Sequence, residues 1–197
     1  LSLTSLIGVL LLSIGAFTPR AVSLGAALSA AASGWIIRKR AMNWRFGAQE
    51  VGVLLVLLLA VLFRSNPATF LNGGQDPGVY SAMSLHFART GSLELKDTLL
   101  PDLADDKEIS SYYLKRSMHR IAKRGPNSWV GNMLPGVYLT NLERNQWNFQ
   151  FDALHPIWLA IGHWAFGLHG QAWVLVLFST LTVMGVYCIT RRITGGD

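Results

Sequence analysis

The sequence is poor in charge and nearly without cysteine. Charged residues make up 14% of its 197 positions, and the single cysteine, Cys188, lies in an apolar run. One cysteine excludes an internal disulfide framework and a cysteine metal site. No histidine pair has the spacing of metal ligands, and there is no internal repeat or low-complexity tract. Scarce charge combined with 51% hydrophobic residues and a mean hydropathy of +0.33 excludes an ordinary soluble domain, because the apolar residues are blocked into long runs. Acids are scarcer than bases, 11 against 17, for a net charge of +6. Such an excess can attract nucleic acid. In a membrane protein it marks cytoplasmic loops and contacts with anionic head groups, so no nucleic-acid partner is expected. The chain starts at Leu1 and stops at Gly195-Gly196-Asp197, directly after an apolar run, which has the look of a piece of a longer protein.

The runs predict an all-α polytopic membrane protein with about four transmembrane helices. Residues 1–45 hold the first two, Leu3 to Phe17 and Ala21 to Ile37, broken at Thr18-Pro19-Arg20. The second is rich in Ala, Ser and Gly, which lets helix backbones approach closely, so a helical hairpin is expected. Arg38-Lys39-Arg40 and Arg45 then form a short basic loop that the charge rule puts in the cytoplasm. Residues 46–63 read as a span running outward, with Glu50 near its cytoplasmic end. Residues 64–154 form an extracytoplasmic loop that is nearly charge-balanced. Within it Asp106 to Arg124 reads as a helix with a basic face, and Val137 to Thr140 with Trp147 to Phe151 reads as a β-hairpin. Residues 155–170 begin with an apolar stretch too short to cross, expected to lie along the interface. Residues 171–197 hold a last span that delivers Arg191-Arg192 to the cytoplasm.

The stretch from Asn72 to Gly91 (NGGQDPGVYSAMSLHFARTG) opens the outer loop. Gly73-Gly74 signals a turn, and Asp76-Pro77 reads as N-cap and first helical position. Val79, Met83 and Phe87 recur at helical spacing, and Gly91 supplies the stop. The positive end of a short helix then meets the Asp76 carboxylate close to the bilayer. On local grounds a helix cap accounts for that carboxylate better than a catalytic role does.

Taken together, Gln75 to Tyr80 (QDPGVY), Leu85 to Gly91 (LHFARTG), Leu154-His155-Pro156, Phe166-Gly167 and Leu181 to Arg192 resemble the N-terminal part of the GT-C glycosyltransferases. The nearest by look are bacterial relatives of protein O-mannosyltransferases and the lipid A aminoarabinose transferases. The resemblance implies transfer of a sugar from a polyprenyl-phosphate carrier to a lipid, glycan or protein acceptor, with inversion, on the outer face of the cell membrane. It implies Asp76 as the base that takes a proton from the acceptor. His155 falls where relatives place a Lys or His near the lipid phosphate, and Gln75, Tyr80 and Arg89 are candidates for lining the pocket. Pro77 follows Asp76 where many relatives carry a second acid, so no two-carboxylate metal site is implied. No cofactor is expected.

Two other readings fit the same chain. A non-enzymatic membrane scaffold would use the outer loop for assembly and Asp76 only as a cap. A transporter of lipid-linked substrates would place ionisable residues in mid-membrane, and Val51 to Phe63 has none.

Overall fold

The computed structural model describes residues 2–39, 47–66, 76–96, 131–134, 136–141 and 146–194. Among them are five helices and one small sheet: α1 (Ser2–Ser13), α2 (Pro19–Lys39), α3 (Ala48–Phe63), α4 (Asp76–Thr90) and α5 (Leu154–Thr194), with β1 (Gly131–Leu134), β2 (Val137–Asn141) and β3 (Gln146–Phe149). The fold is mostly helical. The strands run antiparallel in the order β1-β2-β3, so the expected hairpin is the β2–β3 half of a three-stranded sheet. The helix expected over Asp106 to Arg124 lies outside the described residues, as does most of the basic loop.

The expected hairpin of α1 and α2 is present. Thr18 caps α2, its hydroxyl accepting from the Ala21 N–H at 3.3 Å, and Pro19 occupies the first position. The helices meet where Gly25 leaves room for Ile7, whose nearest methyl would sit 2.8 Å from a Cβ there. α3 is apolar throughout apart from Gln49 and Glu50 in its first turn. It packs on α5, and Val53, Leu57 and Ala60 are among its less exposed positions.

α5 is bent. Phe166 and Gly167 leave helical geometry, and Gly167 takes φ +61 and ψ −144, a region that glycine alone occupies without strain. The first arm, residues 154–165, folds back along the second arm, residues 168–194. Their backbones touch at Gly162 and Gly170, where a Cβ on either would strike the other's carbonyl. The expected boundary at residues 170 and 171 therefore falls a turn too late. Packing between the arms, rather than local composition, fixes the turn.

Four crossing helices were expected on composition. Among the described residues, one helix, α5, is long and apolar enough to cross a membrane. α3 has 16 residues, about 24 Å at ~1.5 Å each, below the ~30 Å hydrocarbon thickness. α1 is shorter still.

The buried core lies where the outer elements meet. Val79, Met83 and Phe87 form one stripe of α4 and close against Ile157 and Ala160 of α5 and against Leu12 and Phe17 from the α1 end. Trp164 ties these together, stacking on Phe17 at 4.8 Å and donating its indole N–H to the Ala88 carbonyl at 3.1 Å. Gly91 stops α4 in the left-handed region (φ +69). Its N–H donates to the Phe87 carbonyl and its carbonyl accepts from the Phe17 N–H, so the helix end is also the joint to α1.

Candidate functional site

The site forms where the start of α4 meets the start of α5. α4 begins at Asp76 itself, so the carboxylate sits in the first turn rather than before it. The electrostatic consequence is unchanged, because the unpaired N–H groups of that turn favour a negative charge. Asp76 is exposed. Tyr80 follows one turn later on the same side of the helix, half-buried, and faces inward to α5. Its ring packs on Phe151 at 4.7 Å and meets the His155 ring nearly at right angles, at 5.1 Å.

His155 stands in the first turn of α5, with Pro156 beside it. A proline fits there because the first N–H groups of a helix have no helical partner. The imidazole is half-buried between Tyr80 and Phe178, whose ring lies 6.0 Å away on the second arm. It makes no hydrogen bond among the described residues. Burial in these surroundings holds its pKa below the usual histidine value, because desolvation disfavours the charged ring.

His155 also borders a cavity of about 590 Å³, within the size range of small-molecule sites. One wall is α1, through Ser5, Leu6 and Val9. The other is the first arm of α5, through Leu154, His155 and Trp158, and Phe178 closes the floor. The walls are held together by the Trp158 indole, which donates to the Ser5 hydroxyl at 2.9 Å. Ile157 also fills the space beside Gly8 of α1. Among the described residues the lining is thus mostly apolar, with His155 its one titratable group.

The structure brings Asp76, Tyr80 and His155 into one neighbourhood. It does not bring Arg89 there. Arg89 is exposed in the last turn of α4, roughly 20 Å along the helix from Asp76 at ~1.5 Å per residue. Gln75 lies outside the described residues. His163 and His169, read as interfacial side chains, are near the bend of α5; the His163 Nδ1 is buried there with no partner among the described residues, as is the Gln171 amide nitrogen. No group of three metal-ligating side chains occurs among the described residues.

The sequence alone missed Ser5, Trp158 and Phe178. Trp158 had a readable signal, since it lies three positions after His155 on the same helical face. Ser5 and Phe178 come from opposite ends of the chain, and only the fold joins them. No family model, curated protein or solved structure matches the chain.

Proposed function

We propose that the chain is part of an inverting membrane glycosyltransferase that moves a sugar from a polyprenyl-phosphate carrier to an acceptor at the outer face of the cell membrane. The observation that carries this reading is the pairing of an exposed carboxylate with an imidazole that has no hydrogen bond among the described residues, beside an apolar groove. Asp76 takes the proton of the acceptor hydroxyl or amine as that atom attacks the anomeric carbon. The bond from that carbon to the carrier phosphate breaks with inversion, and the phosphate leaves with its charge facing His155. Tyr80 touches His155 and shares a helix face with Asp76, so it keeps the two in register.

The multi-pass arrangement is part of the same proposal. Its support is exposed apolar surface rather than helix length. Leu24 and Leu28 on α2, Leu54 and Leu58 on α3, and Val186 and Ile189 on α5 are all more than half exposed, a surface suited to lipid or to further helices. Arg191, near the end of α5, lies 2.8 Å from the Glu50 carboxylate near the start of α3. The two helices are therefore antiparallel neighbours. With Glu50 next to the basic loop, the charge rule puts Arg191 and Arg192 in the cytoplasm and the Asp76–His155 site outside.

The test follows radiolabelled sugar from polyprenyl-phosphate donors into lipid, protein and glycan fractions, using membranes with matched levels of the full-length protein and Asp76→Asn. Asp76 is exposed and asparagine matches it in size, so the substitution removes the charge with little effect on folding. The expected result is transfer by the parent and a loss of ~10²- to 10⁴-fold in the variant. Equal transfer removes Asp76 from the chemistry. Absence of transfer from every donor favours a scaffold.

A further inference from the structure

The groove beside His155 has a property that the transfer reading does not require. Its described lining is apolar apart from Ser5 and His155, and the Ser5 hydroxyl already accepts the Trp158 N–H. Of the described lining, only His155 can carry a positive charge to answer an anion placed there. A neutral imidazole answers poorly, because one ring nitrogen is an acceptor and only the other donates. A protonated one offers two donors and a full charge.

The groups around His155 decide when it carries that proton. From α4 it faces Tyr80, whose hydroxyl makes no hydrogen bond among the described residues, and Asp76 stands one turn further out in solvent. From the second arm it faces Phe178, and from α1 the groove presents Ser5, Leu6 and Val9. On its own segment the nearest acid is Asp152, which is exposed and forms no ion pair among the described residues. None of these neighbours pairs with a charged imidazole. Burial disfavours the charged ring while the groove is empty.

We propose that the groove holds the hydrocarbon chain of a singly charged lipid phosphodiester and that His155 takes up one proton from solvent as the phosphate docks. This rests on the lipid-phosphate role given to His155 above and adds its regulation. Docking supplies the counter-charge that the empty site lacks, so the bound imidazole is more basic than the free one. Between those two values affinity changes by up to about tenfold per pH unit. The sign is fixed: binding tightens as pH falls and weakens as pH rises through the bound-state value.

The experiment is calorimetric titration of the full chain in a nonionic detergent, from about pH 5 to about pH 8, the range in which histidine changes charge. The probe is dodecyl methyl phosphate, a diester that does not itself titrate in that range. Running each titration in two buffers of different ionisation heat counts the protons taken up. We expect uptake approaching one proton per probe over part of the range, with affinity rising as pH falls. Dodecanol should show no pH slope, and inorganic phosphate should fail to compete, which separates a lipid headgroup from free phosphate. His155→Gln should lose both slope and uptake. His155→Lys should bind without a slope, which guards against a variant that merely misfolds. Binding of the probe without proton uptake, or a slope that survives in His155→Gln, overturns this inference and leaves the transfer reading standing. No binding at any pH overturns the lipid-phosphate role of His155 as well.

Discussion

Tyr80 carries two ring contacts and no hydrogen bond among the described residues, so its work at the site is done by the ring. Tyr80→Phe is accordingly expected to keep transfer within about twofold, whereas Tyr80→Ala, which frees His155 from one side, should lose about tenfold or more. Initial-rate assays on matched membranes separate the two. A second expectation concerns acid. Burial lowers the pKa of His86 against the raising effect of its bonds to the Glu94 and Ser92 carbonyls, and lowers that of His155 with no opposing bond. A depressed histidine resists charging in the folded state. Its contribution is full above the unfolded value of about 6.5 and is lost as pH falls through the folded value. Melting temperature in detergent should therefore drop from about pH 6.5 towards about pH 5, and His86→Gln should flatten part of that drop. At this scale Asp76 and His155 were legible, because a carboxylate at a helix start and a histidine before proline are local patterns. His86 was not singled out, since its partner Glu94 lies beyond the helix end.

Helix α5 shows where local reading stops. Every residue from Leu154 to Thr194 is compatible with helix, and Phe166-Gly167 was visible as a pair. The turn of the chain there depends on Gly162 and Gly170 meeting across it. A glycine contact of this kind has no sequence period. It gives a sharp test: Gly170→Ala forces the arms apart and should cost about 1–3 kcal/mol. Gly185→Ala, on the same arm with nothing within 4 Å of the new methyl, should be neutral or stabilising by up to about 1 kcal/mol. Thermal unfolding of the two variants in one detergent decides it. α4, by contrast, was legible nearly to the residue. Its stripe of Val79, Met83 and Phe87 has the period of the helix it forms, and Gly91 ends it by a local conformation.

Across the whole molecule, apolar runs announced the helices but overstated how many, among the described residues, are both long and apolar enough to cross, because hydropathy does not show where a run is divided between helix and turn. The arrangement proposed here is tested in a Cys188→Ser background. Arg38→Cys and Arg192→Cys should react with an impermeant maleimide from one side of a sealed membrane, and Arg89→Cys from the other, each by at least about tenfold over the wrong side. The Glu50–Arg191 pair joins the helices of that arrangement. One Glu50 oxygen accepts the Gly47 N–H at 2.8 Å and the other faces Arg191. The two residues are 141 positions apart. During synthesis at ~5–20 residues per second, Glu50 is made on the order of ten seconds before its arginine exists. For that interval the Gly47 N–H is the Glu50 side chain's hydrogen-bond partner among the described residues, and the pair that joins α5 to α3 forms only once the end of α5 has been made.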